Sequence, residues 1–358
     1  MPWHWLHPLA AHPGFGSACM ALAVLVALAV DRLWGEPPAR WHPVVWMGGA
    51  LEACGARIAP TRETHRNLKH FWLAALVWGA LAALVVIAAA VLQGMLLWLG
   101  SPAPARPQGL DIEGVGMAGA HAVQTALLAL LTATVLGLLL KPMLALAALQ
   151  SEVRAVEAAL GESLEAGRAR LAWLVSRDVD SLGADEVRQS AIESLAENLN
   201  DSVVAPIFWF ALAGLPGAAL YRFANTADAM WGYPGMRGGR YWQWAGKWAA
   251  RADDVLSWLP ARLTALLLAL VAGGVPLGQL AGEANKTPSP NSGWPMAAMA
   301  LALGVQLSKA GVYQLHSTGR APTPCDAAYA QNLVSKVALA LVLIALTAIV
   351  FVVFGMGA

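Results

Sequence analysis

Uninterrupted apolar runs dominate the chain. Those at residues 71–99, 122–149, 261–280 and 337–354 are long enough to be membrane spans, since about 20 helical residues cross the hydrocarbon core. The second of them carries an internal Lys141-Pro142. A shorter run at 15–30 reads as a fifth span. It does not read as a cleaved leader, because residues 1–16 hold no Lys or Arg for a basic n-region. Two further runs, 203–220 and 295–307, are marginal: the first contains Pro206 and a Leu215-Pro216-Gly217 break, and the second is short. Each predicts a short or re-entrant membrane helix, which is tolerated where protein covers the irregular backbone.

Between the runs, Val153, Val156, Leu160, Leu164, Leu171 and Leu174 recur at helical spacing, with Glu157, Glu162, Glu165, Arg168 and Arg170 off that stripe. Val187, Ala191, Leu195 and Leu199 predict a second helix over 185–202. There is no internal repeat and no convincing strand alternation. The expectation is an all-α, polytopic integral membrane protein with about five spans and one or two re-entrant or short membrane helices. It forms a single membrane domain over residues 1–358, with a helical segment at 150–202 and a loop at 221–260 on the cytoplasmic side.

Basic residues set that sidedness. Arg32, Arg40, Arg57, Arg62, Arg66 and Lys69 fall in 31–70, and five more fall in each of 150–202 and 221–260. The Pro/Gly-rich stretch 100–121 has only Arg106 and reads as an external loop. The positive-inside rule places the three basic stretches in the cytoplasm. For the last two to share a side, 203–220 must either enter the membrane and return or come as one of a pair of spans, and the re-entrant reading is favoured.

Composition agrees: 58% of the 358 residues are hydrophobic and 13% charged, against about 25% charged in a soluble domain. A net charge of +1 offers no field for nucleic acid. Cys19, Cys54 and Cys325 are too scattered for a metal or redox pair.

The candidate chemistry is polar and clustered. Glu193, Glu197 and Asp201 follow one another at i, i+4 spacing, one acidic stripe on a helix. Such oxygen-rich sets suit Mg²⁺ with substrate phosphates; a solvated helix face is the plainer alternative. The segment 221–240 puts Arg222, Asn225, Asp228, Arg237 and Arg240 beside several glycines, a composition that suits anions, or anionic lipid headgroups. Arg251, Asp253 and Asp254 precede Pro260, where a span is expected to open. The run 286–295, with Lys286, Ser289 and Asn291, is rich in turn formers. His42 lies in a Trp-rich neighbourhood with Asp31 and Glu36 upstream. No Walker A loop, zinc-spaced His pair or G-x-S-x-G elbow occurs.

These blocks, in this order, resemble the CobD/CbiB family of cobalamin biosynthesis, the adenosylcobinamide-phosphate synthases. The matching pieces are Asp31-x-x-x-Gly35-x-Pro37, His42-Pro43-Val44, Arg177-Asp178, Glu193-Ser-x-Ala-Glu-Asn-Leu-x-Asp201 and Ala205-Pro206. They continue with Tyr221-Arg-x-x-Asn-Thr-x-Asp-x-Met-x-Gly-Tyr233, Ala250-Arg-x-Asp-Asp254, Pro260-Ala-Arg-Leu-Thr264 and Ser289-Pro-Asn-x-Gly-Trp-Pro295. The resemblance implies a ligase of the inner membrane, with its site facing the cytoplasm. It would join an aminopropanol phosphate to a propionate carboxylate of adenosylcobyric acid, using ATP and Mg²⁺. On this reading Glu193, Glu197 and Asp201 are metal ligands or base, with Asp228, Asp253 and Asp254 as further candidates for that work. Arg222, Asn225, Arg251, Lys286, Ser289 and Asn291 handle phosphate or carboxylate, and His42 positions a substrate.

Departures from the family pattern are Glu36 for the usual Asp, Ser202 for Gly and Thr287 for His. Thr287 removes a titratable group. The competing expectations are a non-enzymatic AmpE-like membrane regulator and a corrinoid carrier. The amine remains open among aminopropanol phosphate, its threonine-derived counterpart and ethanolamine phosphate, as does whether other late-pathway membrane enzymes are partners.

Overall fold

A computed structural model describes residues 13–63, 67–101 and 113–355. Arg66 and residues 102–112 of the expected external loop, with Arg106, lie outside the described residues. The helices are α1 (Pro13–Trp34), α2 (Pro43–Ile58), α3 (Leu68–Gly100), α4 (Glu113–Leu140), α5 (Leu146–Glu162) and α6 (Leu164–Leu171). They continue with α7 (Ala184–Leu199), α8 (Ala205–Trp231), α9 (Lys247–Val271), α10 (Leu277–Ala284), α11 (Gly293–Leu303) and α12 (Pro324–Gly355). Two antiparallel strand pairs are added, β1 (Met236–Arg237) with β2 (Arg240–Tyr241), and β3 (Leu307–Lys309) with β4 (Tyr313–Leu315). Among the described residues, 6 helical runs are long and apolar enough to cross a membrane. The protein is an all-α polytopic membrane protein.

One of these runs, Ala184–Trp231, is doubled back on itself. A π-helical turn, Asn200–Val204, joins α7 to α8, and within α8 Gly214 has φ 66, ψ −158. No helix continues through such a residue, and a side chain would strain it. The proof of reversal is a contact: Asn225 Nδ2 donates to Asp201 Oδ2 at 3.2 Å, whereas 24 residues of straight helix would separate them by about 36 Å. The run expected to enter and return is therefore a helical hairpin with both ends on one side. Its tip is held by Gln93 of α3, whose Oε1 accepts the Leu215 N–H at 2.6 Å. That bond satisfies a donor that the bend removes from the helix ladder.

Other boundaries move. The span expected at 261–280 is α9, which begins at Lys247 and ends at Val271, so Asp253, Asp254 and Pro260 lie inside a helix. Only the middle of 221–260 is non-helical, since α8 and α9 occupy its two ends. The apolar run 122–149 breaks into a 3-10 turn at Lys141–Met143 before α5. The amphipathic stripe of 153–174 is two helices, because Ser163 leaves helical geometry and its hydroxyl accepts the Ala166 N–H at 3.0 Å.

Small residues permit the closest packing. Cys19, Ala23 and Ala27 of α1 are fully buried, and a Cβ on Gly137 of α4 would lie 2.7 Å from Val26 Cβ; close backbone approach replaces the hydrophobic driving force that lipid does not supply. The outward faces of α3 and α12 expose Leu76, Ile87, Val91, Leu343 and Phe351, as lipid contact requires. A second cluster around Leu51, Phe223, Trp231 and Trp242 ties α2 to the returning hairpin arm.

Candidate active site

The polar residues collect at the open end of the α8 hairpin. Asp201 sits on the π-helical turn, a local distortion that often accompanies function. Its Oδ1 accepts from Asn200 Nδ2 at 2.7 Å and from the Tyr221 hydroxyl at 3.3 Å, and its Oδ2 accepts from Asn225. Tyr221 is anchored in turn against Ser257 of α9 at 3.0 Å. Asp253 and Asp228 lie within electrostatic reach of Asp201 and of Asp254, so the π-helical turn, α8 and α9 bring four carboxylates together. Among the described residues none of the four is ion-paired within 4 Å. Asp253 Oδ1 is buried without a hydrogen-bond partner. Beside them Arg222 Nη1 donates to the Asp201 carbonyl, Ser202 Oγ and Asn225 Oδ1 at 3.2–3.4 Å, while its buried Nε has no partner.

Glu193 does not share a ligand set with Asp201, whereas Glu197, one turn before Asp201, lies within its electrostatic reach. Eight helical residues separate Glu193 from Asp201, about 12 Å along the axis, while Mg–oxygen distances are about 2.1 Å. Glu193 Oε2 instead accepts from Arg177 at 2.9 Å. Among the described residues no three His, Cys, Asp or Glu side chains could hold a metal by themselves. Mg²⁺ normally needs only one or two carboxylates, with water and substrate phosphates completing its shell. Asp201 and Asp253 suit that need, because a buried, unpartnered carboxylate oxygen and mutual repulsion both favour a cation. Glu193 is 3% exposed, so the solvated-face alternative does not hold for that residue.

A buried ion-pair chain runs alongside. Lys141, 2% exposed, places Nζ 3.1 Å from Asp31 Oδ1 and 3.0 Å from Glu36 Oε1. Glu36 Oε2 lies 3.1 Å from His42 Nε2. Because His42 Nδ1 accepts the Val44 N–H at 3.3 Å as the N-cap of α2, its proton is on Nε2 and points to Glu36. Glu36 also reaches Arg222 electrostatically. The carboxylate substituted for the usual Asp thus connects His42 to the site. A lone Lys in an apolar run is the signal in the sequence for this buried chain.

The turn-rich segment 286–295 folds back onto α9. Asn291 Nδ2 donates to the Asp254 carbonyl at 2.7 Å, and its Oδ1 accepts from Arg262 at 2.8 Å. Arg262 lies over the Trp258 and Trp294 rings. Ser289 Oγ accepts the N–H groups of Asn291 and Ser292, shaping the turn. Thr287 Oγ1 donates to backbone carbonyls of Ala284 and Ser289, a structural use for the residue that replaces His. Lys286 contacts both oxygens of Glu283 at 2.7 Å, away from the carboxylate group. Arg251 is exposed on α9 and nothing ties it to that group. Arg237 and Arg240 brace the β1–β2 turn through the Ala229 and Ala59 carbonyls.

A family model described as CobD/Cbib protein matches residues 24–344. The chain belongs to the CobD/CbiB family. Relatives include the probable cobalamin biosynthesis protein CobD of Methanothermobacter thermautotrophicus, 35% identical over 93% of this chain and 96% of the relative. The cobalamin biosynthesis protein CobD of Chromobacterium violaceum is 38% identical over 85% and 86%. No solved structure matches significantly. Family membership spans α1 to α12, so the hairpin, the carboxylate group and the Lys141 chain all fall within the matched region.

Proposed function

We propose that this chain is an ATP- and Mg²⁺-dependent amide ligase of cobalamin biosynthesis, joining an aminopropanol phosphate to a propionate carboxylate of adenosylcobyric acid. The observation that carries the reading is the convergence of Asp201, Asp228, Asp253 and Asp254 beside Arg222 and Asn225, within a CobD/CbiB chain. The positive-inside rule, applied to the basic stretches at this end of the bundle, supports a cytoplasmic site in the inner membrane.

Bound Mg²⁺ would offset charge on the transferring phosphoryl group. Asp201 and Asp253 would hold it, while the unpartnered Nε of Arg222 is free to meet a phosphate or carboxylate oxygen. ATP phosphorylates the propionate oxygen and leaves as ADP. The amine nitrogen then attacks the acyl carbon, phosphate departs, and a nearby carboxylate takes the proton from nitrogen. His42, fixed by Glu36, positions substrate at the edge of this group.

The test is turnover by the detergent-purified protein with adenosylcobyric acid, aminopropanol phosphate, ATP and Mg²⁺. An amide product with one ADP per bond is the expected result. A folded protein that binds corrinoid without making product would favour a carrier, and one that does neither a regulator.

A further inference from the structure

Glu193 and Glu197 line a cavity of about 160 Å³ whose walls do not include Asp201, Asp228, Asp253 or Asp254, although Glu197 lies within electrostatic reach of Asp201. Arg177 stands on one side, and the β3–β4 hairpin covers another with Lys309 and Tyr313. Lys309 and Tyr313 face one another across that hairpin. The cavity is lined mainly by polar groups, with two cations and two carboxylates. Only one complementary pair is made internally, Arg177 with Glu193 Oε2. The other oxygen, Glu193 Oε1, is buried without a hydrogen-bond partner. Among the described residues Glu197 and Lys309 are in no ion pair within 4 Å.

An unmatched buried carboxylate oxygen is costly. A ligand that brings a cation to Glu193 and Glu197, and an anion to Lys309 and Arg177, would satisfy every unmatched charge together. A simple anion would face two carboxylates, and a simple cation would leave Lys309 unmatched. Size restricts the choice further, since drug-sized ligands occupy about 300–1,000 Å³. A volume of about 160 Å³ favours a small ligand over a tetrapyrrole-sized ring. Ser194 and Asn198 also wall a neighbouring cavity of about 260 Å³ that ends at Ser202 and Arg222, which sets a ligand here beside the Asp201 group.

We infer that this cavity binds a small phosphorylated primary amine, its ammonium on Glu193 and Glu197 and its phosphate on Lys309 and Arg177. The assignment rests on the ligase reading, for which it supplies the amine site. It also moves Glu193 and Glu197 from metal ligation to substrate recognition, and it puts a carboxylate beside the nitrogen that must lose a proton. Tyr313, whose hydroxyl is held protonated by burial and by the neighbouring Glu193 and Glu197, donates to Met296 Sδ at 3.8 Å and walls the same cavity.

Calorimetric titration of the detergent-purified full chain with O-phosphoethanolamine, inorganic phosphate and ethanolamine tests the assignment. O-Phosphoethanolamine is expected to bind at least tenfold more tightly than either fragment. Lys309→Ala should weaken it at least tenfold and Lys309→Arg restore it. Glu197→Gln should weaken it without changing phosphate affinity, and serves alone if Lys309→Ala does not fold. No binding, equal binding of phosphate, or indifference to both substitutions in folded protein overturns the assignment. Phosphatidylethanolamine carries the same headgroup, so competition by nanodiscs containing that lipid would also overturn the choice of a soluble ligand. Binding as expected without amide formation would sink the ligase and keep the cavity. Turnover in which Lys309→Ala raises only the KM for adenosylcobyric acid would keep the ligase and sink the cavity.

Discussion

The side-chain oxygen of Gln93 accepts the backbone N–H of Leu215 at 2.6 Å, and so a residue in one membrane span closes the tip of a hairpin built from another segment. A bend through Gly214 strips donors from the helix ladder at a depth where water is scarce, and the amide of Gln93 replaces the lost partner. The hairpin then returns Tyr221, Arg222 and Asn225 to Asp201, so the site depends on this distant bond.

Gln93→Leu is expected to lower stability by about 1–3 kcal/mol, the usual cost of an unsatisfied buried donor. Gly214→Ala should be worse, because it adds strain at φ 66 and drives a methyl into the Gln93 amide. Thermal unfolding of purified protein in detergent measures both. Wild-type stability for Gly214→Ala would contradict the bend.

The Lys141 chain predicts strong non-additivity. Lys141→Met leaves Asp31, which is 0% exposed, as an uncompensated buried charge, and removing one partner of such a pair costs about 3–5 kcal/mol. Asp31→Asn with Lys141→Met should recover much of that loss. A double-mutant cycle on unfolding free energy reads the coupling, and simple additivity of the two single losses would refute the pairing.

His42 has two separable roles, as helix cap and as the partner of Glu36. Asn caps well, so His42→Asn should retain the stability that His42→Ala loses, about 1 kcal/mol. Both substitutions should reduce turnover if the link to Glu36 is what matters. Full activity in His42→Asn would confine His42 to capping α2.

Asp201→Ala and Asp253→Ala are expected to cut turnover at least a hundredfold and to raise the Mg²⁺ concentration for half-maximal rate. Glu197→Ala should instead act through the amine substrate. If Mg²⁺ dependence shifted with Glu197 and not with Asp201, the division between the two sites would be reversed.

Glu283 governs how the β3–β4 hairpin responds to acid. Burial raises its pKa, but the Lys286 ammonium and the His316 backbone N–H outweigh that and hold it below the ordinary value. A depressed carboxyl contributes stability above its unfolded pKa, about 4.3, and loses it as pH falls through the lower folded value. Protection factors for hydrogen exchange across residues 307–316 should therefore fall in that acid window, and Glu283→Gln should remove that fall. An unchanged exchange profile in the variant would show that Glu283 does not hold the hairpin.

Much was legible in the chain itself. Apolar length marked α1, α3, α4, α9 and α12 because burying helical backbone in lipid is a local requirement that each segment meets alone. The Leu215-Pro216-Gly217 break and the basic stretches on either side together called for an entering and returning segment. The i, i+4 spacing of Glu193, Glu197 and Asp201 was equally visible, but spacing along one helix does not tell which way neighbouring helices pull each side chain. Tertiary packing decided that Glu193 turns to Arg177 while Asp201 turns to Asn225, that Lys141 is matched by Asp31 and Glu36, and that Asn291 returns to Asp254. Hydrophobic periodicity is written into a few consecutive residues, whereas an ion pair between residues 110 apart, as for Asp31 and Lys141, exists only once whole helices have packed.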